Sequence, residues 1–174
     1  MRKIKTPFKG LLIYKGKKYN DKRGFLREVF HKNTIKKNLI FSVTSSSKKN
    51  VLRGLHLQTK KSQDKYVTVL KGKILDVVVD LRKKSKTYGK HFKIILDENN
   101  SKFLFIPKGF AHGFLGLGKE NIVLYSCTNY RHAKSEKAVL WNDKDLKIKW
   151  PIKKPIISSK DKKNLKFSEF KKIY

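Results

Sequence analysis

The sequence offers very little sulfur: its 174 residues include one cysteine, Cys127, and one methionine. A single cysteine cannot form an intrachain disulfide, and it excludes a zinc site built from several cysteines. No stretch approaches the roughly eighteen consecutive apolar residues of a membrane-spanning helix. The basic first residues are not followed by the apolar core of a signal segment. We therefore expect a cytoplasmic protein without a membrane partner.

Acidic residues are also scarce, since 13 Asp and Glu stand against 44 Lys and Arg and the formal net charge is +31. Such an excess of positive charge is typical of nucleic-acid binders. The lysines are dispersed along the whole chain rather than gathered in one stripe or helix, which favours a solvated surface. We expect no nucleic-acid partner, and a nucleic-acid-binding barrel is kept as an alternative. The positive field would attract an anionic substrate.

The chain lacks internal repeats and Pro/Gly/Ser-rich linkers, which indicates a single domain over residues 1–174. Short β-branched and aromatic runs, bounded by Asn, Gly or Pro, predict strands over residues 66–70, 74–80, 92–96, 103–106 and 122–128. Helical patterns are confined to residues 33–37 and 164–171. Many short strands separated by turns are typical of a sandwich or a closed barrel, and such a barrel can hold one small ligand.

The first two predicted strands carry further local signals. Gly72, in the short connection between them, predicts a tight hairpin. In the second strand one strongly buried face is predicted by the alternation of Leu75, Val77 and Val79 with Asp76, Val78 and Asp80.

Two histidines stand beside glycines and apolar residues at predicted strand ends. His56 lies in Arg-Gly-Leu-His-Leu-Gln, and His112 lies in Pro-Lys-Gly-Phe-Ala-His-Gly-Phe. The mouths of barrels bind ligands at such positions, so both histidines are candidates for the functional site. The alternative is that each is a core histidine bonded to a backbone carbonyl.

Several motifs together resemble the dTDP-4-dehydrorhamnose 3,5-epimerase family, in the order found in that family and over nearly the whole chain. They are Asp21-Lys-Arg-Gly-Phe25 with Glu28, Ser47 to Gln58 (SKKNVLRGLHLQ), Asp76 to Lys83 with Gly89, Ile106 to Phe114, Thr128-Asn-Tyr130, and Trp141 to Pro151. The resemblance implies an all-β fold, a cupin-type double-stranded β-helix barrel (jelly roll) with a few short helices. It also implies a homodimer that uses no metal and no other cofactor.

The implied activity is that of an isomerase, which inverts carbon 3, carbon 5 or both of a nucleotide-activated 4-keto sugar through an enolate. In this resemblance His56 matches the catalytic base, Asp161 the carboxylate paired with it, and Tyr125 the acid on the opposite face of the sugar. Lys65 matches the cation near the enolate oxygen. Positions that contact the nucleotide sugar or shape its pocket are matched by Arg23, Glu28, Arg53, His112, Glu136 and Lys160.

One departure from the family pattern concerns the nucleoside. Phe41-Ser-Val43 stands where the thymidine-using enzymes carry a Gln-x-Asn pair. The chain is similar in this respect to a capsular branch of the family, which favours a GDP-linked 4-keto heptose used in capsule or surface polysaccharide synthesis. The alternative substrate is dTDP-4-keto-6-deoxyglucose, the epimerase substrate of rhamnose synthesis.

Two other enzyme classes stay open. A sugar 3,4-ketoisomerase on a related barrel would not need Tyr125 opposite the base. A metal-dependent cupin is suggested by Pro107-x-Gly-x-x-His112, which resembles half of the metal-cupin signature. The other half requires two histidines one residue apart, and His56-Leu-Gln58 supplies only one. Two histidines with a glutamine are a poor ligand set for zinc or iron.

Overall fold

The computed structural model describes the chain from Met1 to Tyr174. The strands are β1 (Arg2–Lys5), β2 (Leu12–Lys15), β3 (Lys18–Asp21), β4 (Gly24–Arg27), β5 (Phe41–Lys48), β6 (Leu52–Gln58), β7 (Lys65–Lys71), β8 (Lys73–Asp80), β9 (His91–Asp97), β10 (Lys102–Ile106), β11 (Phe110–Gly116), β12 (Glu120–Cys127) and β13 (Glu136–Ala138). Helical structure is limited to α1 (Lys32–Ile35), a 3-10 turn (Ala133–Ser135), α2 (Ser159–Lys162) and α3 (Phe167–Ile173).

Most strands belong to two antiparallel sheets that pack face to face. The six-stranded sheet has the order β1-β2-β10-β7-β12-β5, and the five-stranded sheet has the order β13-β6-β11-β8-β9. The remaining strands, β3 and β4, form a separate hairpin. Strands that pass back and forth between two packed sheets make a jelly roll. The prediction of an all-β, cupin-type barrel with few helices is confirmed.

The predicted hairpin between the first two strands is wrong. Both strands form, but β7 pairs with β10 and β12, whereas β8 pairs with β9 and β11. The chain turns at Gly72, where φ is +80° and an added Cβ would lie 2.0 Å from the Glu120 carbonyl oxygen. The glycine therefore permits a sharp passage from one sheet to the other, rather than a return along the same sheet.

The principal core lies between the sheets, because side chains alternate between the two faces of each strand. It draws Val67, Val69 and Val123 from the six-stranded sheet and Val78 and Phe114 from the five-stranded sheet. All of these side chains are fully or almost fully buried. The polar residues described below lie beyond one end of this apolar layer.

The prediction of a single buried face on β8 is also wrong. Val78 faces the core between the sheets, while Val77 and Val79 pack on the outer face of the sheet. That outer face is covered by the carboxy-terminal segment, whose Phe167 and Phe170 on α3 are buried against it. An uninterrupted valine run is the pattern of a strand covered on both sides.

A third apolar cluster covers the outer face of the six-stranded sheet, and it includes Tyr14, Tyr66 and Phe103 from the sheet with Ile35 from α1. The two predicted helical segments form α1 and α3, near the expected positions, and each covers one outer face of the barrel. None of the helices has the length and apolar character that a membrane crossing requires.

Candidate active site

Polar side chains gather at one end of the space between the sheets. Lys65 on β7 pairs in register with Cys127 on β12, and Tyr125 lies one inward position further along β12. Across the interior, His56 on β6 pairs in register with His112 on β11. Each of these residues occupies an inward position of its strand, because inward positions alternate along a strand. The same alternation that builds the apolar core thus continues into a polar cavity.

His56 is held by a buried carboxylate. Its Nε2 lies 2.6 Å from Asp161 Oδ1, and the exposed fractions of the two side chains are 26% and 5%. Asp161 also accepts hydrogen bonds from the Gly54 amide and the Asn164 side chain, both at 3.4 Å. Burial alone would raise the pKa of Asp161, but the hydrogen bond and charge of His56 outweigh it and lower that pKa. The ionised carboxylate therefore fixes the imidazole at Nε2 and leaves Nδ1 for the cavity.

The position of Asp161 depends on the short helix α2. The Ser158 hydroxyl caps this helix by accepting a hydrogen bond from the Asp161 amide at 3.0 Å. The helix packs against β6 at Gly54, where φ is +128° and an added Cβ would lie 2.5 Å from the Gly113 Cα. Gly54 in the Arg-Gly-Leu-His motif is thus required for the close approach of β6 and β11 beside the site.

Two half-buried side chains on the six-stranded sheet complete the chemical groups of the cavity. Burial lowers the pKa of Lys65, and the neighbouring Cys127, Glu136 and Asp76 oppose that effect. Burial raises the pKa of the Tyr125 phenol above its ordinary value. The Tyr125 phenol therefore keeps its proton near neutral pH.

The rim of the cavity carries two cations on one carboxylate. Glu136 Oε2 accepts a hydrogen bond from Arg131 Nη2 at 2.8 Å and lies 3.3 Å from Lys160 Nζ. Burial would raise the pKa of Glu136, but the bonds from Arg131 and Lys160 outweigh it and lower that pKa. Nearby, Arg53 donates from Nε to the Ser47 hydroxyl at 2.9 Å. These groups place positive charge at the rim of the cavity.

His112 is also bonded to a carboxylate. Its Nε2 lies 2.8 Å from Asp76 Oδ2, and both side chains are almost completely buried. The His112 ring stands edge-on to the Tyr125 ring, with centroids 5.9 Å apart and an interplanar angle of 68°. His112 is therefore not bonded to a backbone carbonyl, which was the alternative for a core histidine.

These groups line two adjoining lobes of one cavity, of about 170 Å³ and 390 Å³. Six residues line both lobes: Val43, His56, Lys65, Tyr125, Arg131 and Glu136. The larger lobe brings together eight of the ten residues predicted for the site, namely His56, Lys65, Tyr125, Asp161, Arg53, His112, Glu136 and Lys160.

The other two predicted residues do not reach the cavity within one chain. Arg23 lies in the turn of the β3–β4 hairpin, is 84% exposed and forms an ion pair with Asp21 at 2.7 Å. Glu28 follows the hairpin and is exposed. Neither lines either lobe. Their contact with the nucleotide sugar therefore stays a prediction.

Sequence reasoning missed Gln63 and Arg131, which line the cavity, and the bond of the buried Asp76 to His112. Asp76 had a usable signal, since an acidic residue inside a valine-rich strand must find a partner when it is buried. Arg131 had no local signal, because its position on the rim depends on how the loop after β12 packs.

The family model described as dTDP-4-dehydrorhamnose 3,5-epimerase matches residues 5–169. The chain belongs to this family. An epimerase of that description from Methanothermobacter thermautotrophicus is 42% identical over 169 residues, covering 92% of this chain and 91% of the relative. The Shigella flexneri epimerase is 38% identical over 174 residues, covering 96% of each.

Solved structures of the epimerase family match the whole architecture. The Bacillus anthracis dTDP-4-dehydrorhamnose 3,5-epimerase, solved with TDP and PPi bound, has a TM-score of 0.92 and 37% identity, covering 95% of this chain and 99% of that one. The Legionella pneumophila epimerase, in complex with dTDP-4-keto-L-rhamnose, has a TM-score of 0.91 and 37% identity, covering 96% and 93%. The predicted family and isomerase class are thus confirmed, and the chain is a nucleotide-sugar 3,5-epimerase. The relatives are named for dTDP-linked substrates, not for the GDP-linked heptose that the sequence favoured.

Proposed function

We propose that this epimerase inverts carbon 3, carbon 5 or both of a nucleotide-linked 4-keto sugar, with His56 as the base and Tyr125 as the acid. The observation that carries the proposal is the His56–Asp161 pair, joined at 2.6 Å in the wall of a cavity that Tyr125 and Lys65 also line. His56 stands on the five-stranded sheet and Tyr125 on the six-stranded sheet. A sugar ring between the sheets would present opposite faces to them.

The first step is removal of a proton from a carbon next to the ketone. Histidine suits this task because its ordinary pKa lies near neutrality. Asp161 holds Nε2, so the free Nδ1 of His56 accepts the proton. The buried Asp161 carboxylate then stabilises the imidazolium that forms, as in other histidine–carboxylate pairs.

The second step is stabilisation and reprotonation of the enolate. Negative charge develops on the oxygen at carbon 4. The Lys65 ammonium in the cavity wall would stabilise that charge. Tyr125 then gives its phenolic proton to the carbon from the face opposite His56, which inverts the centre. The raised pKa of Tyr125, caused by burial, keeps that proton in place until the carbanion forms.

Positive side chains on the rim would bind the diphosphate. Arg53, Lys160 and Arg131 line the larger lobe. A guanidinium group can donate two parallel hydrogen bonds to two phosphate oxygens. Glu136 holds two of these cations, Arg131 and Lys160, at the rim. His112 completes the wall beside Tyr125.

A homodimer is part of the proposal. The β3–β4 hairpin exposes Tyr19, Phe25 and Leu26, at 58%, 50% and 73%. A cluster of exposed apolar residues on one hairpin is typical of a protein interface. Arg23 and Glu28 lie on or next to this hairpin, so docking of a second copy would bring them to a cavity of the partner rather than to their own.

The proposal also includes a cytoplasmic location and no nucleic-acid or membrane partner. Cys127 is buried and unpaired, as is usual in compartments that keep thiols reduced. The basic residues are dispersed along the whole sequence rather than gathered in one segment.

Two nucleotides are candidates. A dTDP-linked hexose is the first, because relatives that match nearly all of this chain are named for it. A GDP-linked heptose is the second, because Phe41 and Val43, which line the smaller lobe, carry no side-chain amide at positions where thymidine-using enzymes have a Gln-x-Asn pair.

The test is deuterium incorporation in heavy water with dTDP-linked and GDP-linked 4-keto sugars, followed by NMR. The wild-type enzyme should exchange hydrogen next to the ketone, and a folded His56→Asn variant should lose about a hundred- to ten-thousandfold of that rate. His91→Asn is the matched control, since His91 is half-buried and bonds the Leu146 carbonyl away from the cavity. Exchange by His56→Asn at the wild-type rate would contradict the assignment.

The same measurement separates the remaining alternatives. A ketoisomerase would yield a product with its keto group at carbon 3, whereas the epimerase retains it at carbon 4. Thermal shifts with free dTDP and GDP at equal concentrations then compare the two nucleotides. A larger shift with dTDP supports the first candidate, and a larger shift with GDP supports the second.

A further inference from the structure

Asp76 is a buried carboxylate that the chemistry described so far does not use. Its side chain on β8 is completely buried. One carboxylate oxygen is bonded to His112 Nε2, and the other, Oδ1, is buried with no hydrogen-bond partner. Leaving a buried carboxylate oxygen unsatisfied is costly. A chain with only 13 acidic residues thus keeps one of them at an expensive position directly behind its site.

The location of Asp76 links it to two walls of the cavity. It faces the interior of the barrel, since it lies two residues from the inward-facing Val78 on the same strand. His112, which it holds, lines the larger lobe and stands edge-on to Tyr125. The His112 ring forms no second hydrogen bond within the protein, so its Nδ1 remains available to a ligand.

The charge of Asp76 also reaches both groups on the opposite sheet. Burial lowers the pKa of Lys65, and Asp76 is one of the three groups that raise it again, with Cys127 and Glu136. Burial raises the pKa of Tyr125, and Asp76 raises it further. No ion pair joins Asp76 to Lys65, so this influence acts through space. In both cases the carboxylate favours the protonated form.

We propose that Asp76 is a positioning residue of the epimerase: its carboxylate, buried inside the barrel, fixes the His112 ring edge-on to Tyr125 and supplies negative charge behind the two groups proposed as enolate stabiliser and proton donor, Lys65 and Tyr125. An enolate stabiliser must be cationic and a proton donor must hold its proton, so one buried anion serves both steps. This inference depends on the proposed roles of Lys65 and Tyr125. The competing explanation is purely structural, in which the Asp76–His112 bond only ties β8 to β11.

The decisive measurement is the protonation of Lys65, because a structural tie would not change it. Amines react with acylating reagents only when they are neutral, so the acylation rate of Lys65 against pH, read by peptide mass spectrometry, reports its protonation. Asp76→Asn keeps the shape of the side chain and removes the charge. Lys65 should then lose its proton more easily, and its acylation at a given pH should become on the order of tenfold faster.

A change in Lys65 acylation can be attributed to Asp76 only if the other groups that face Lys65 keep their positions. They come from every element around it: Cys127 and Tyr125 on β12, His56 on β6, Glu136 on β13, and Arg131 in the loop after β12. The matched control is Asp143→Asn, which alters another buried carboxylate, one that accepts backbone amides including that of Phe167 outside the cavity. It should lower Tm without changing Lys65 acylation.

Two more variants keep the test decisive. Asp76→Glu retains the charge and should retain slow acylation of Lys65, even if it lowers Tm. Should Asp76→Asn fail to fold, the pair Asp76→Asn with His112→Asn removes both partners, which is better tolerated than removing one. It is then compared with His112→Asn alone, and faster Lys65 acylation in the double variant supports the inference.

Activity gives a second reading that separates this inference from the proposed function. In Asp76→Asn the alkaline limb of kcat/KM should move to lower pH, because Lys65 becomes neutral earlier. Unchanged Lys65 acylation and an unchanged alkaline limb, in an active enzyme, would show that Asp76 is a structural tie only. Failure of the wild-type enzyme to exchange any 4-keto sugar would instead overturn the proposed function, while the acylation result would still decide what Asp76 does to Lys65.

Discussion

Replacement of Asp161 by asparagine isolates the contribution of charge to the His56 pair. Asparagine has the same shape as aspartate and keeps an oxygen for the bond at Nε2, which is 2.6 Å in the wild-type protein. It cannot stabilise the imidazolium that forms when His56 takes the proton. A hydrogen bond to a charged group contributes about 1.5–3 kcal/mol. If all of that contribution is realised in the transition state, the exchange rate should fall about tenfold to 150-fold.

The loss would be larger if the new amide turned its nitrogen toward Nε2. The imidazole would then carry its proton on Nδ1, the nitrogen that faces the cavity, and it could not accept a proton from the sugar. In either case, Asp161→Asn should lose no more activity than His56→Asn loses.

The assay is deuterium wash-in under single-turnover conditions, with unfolding followed in parallel to confirm that the variant is folded. Asp143→Asn again serves as a buried-carboxylate control outside the cavity, and it should exchange at the wild-type rate. A folded Asp161→Asn protein that also exchanges at the wild-type rate would refute the reasoning, because the buried carboxylate would then have no part in proton abstraction.

Three further predictions follow from the same structure. Tyr125→Phe should still wash in deuterium from the His56 side but yield much less inverted product, and full-rate inversion would mean that another group is the donor. Burial would raise the pKa of Asp80, but bonds from its neighbours lower it from 3.8 to about 2, so Asp80 contributes about 2 kcal/mol above its unfolded pKa. This contribution to the free energy of unfolding is lost as pH falls through the folded-state pKa of Asp80. In Asp80→Asn the free energy of unfolding, measured with urea, should therefore decrease less between neutral and acid pH. Leu26→Arg, on the exposed hairpin, should convert a dimer to a monomer in sedimentation, whereas unchanged mass would remove the hairpin from the interface.

Local pattern was sufficient for five of the thirteen strands, β7, β8, β9, β10 and β12, but not for their partners. The valine-rich runs around Gly72 predict strands correctly, because β-branched residues and period-two alternation act over a few residues. The hairpin prediction failed because β7 and β8 belong to different sheets, where β7 pairs with β10 and β12 and β8 pairs with β9 and β11. Nothing in a short window of sequence distinguishes a glycine that closes a hairpin from one that carries the chain across to a second sheet.

The candidate site was predicted best where a motif fixed the residue. His56 and His112 stood out by their glycine-rich surroundings, and the family resemblance added Lys65 and Tyr125, all of which line one cavity. Asp161 lies 105 residues from His56, so composition alone gave no reason to join them. Their pairing depends on the docking of α2 against β6. Arg23 illustrates the opposite limit, since the contact proposed for it requires a second copy and cannot be judged from one chain.

The charge of the cavity differs sharply from the charge of the whole chain. Four cations line it, Arg53, Lys65, Arg131 and Lys160, and three carboxylates lie in or behind it, Glu136, Asp161 and Asp76. The surplus there is a single positive charge, four minus three, whereas the chain carries +31. Almost all of the excess therefore lies on the outer surface, where salt screens it beyond about 8–10 Å. That surface can speed the approach of a nucleotide sugar, but discrimination and proton transfer depend on the nearly balanced set of groups inside.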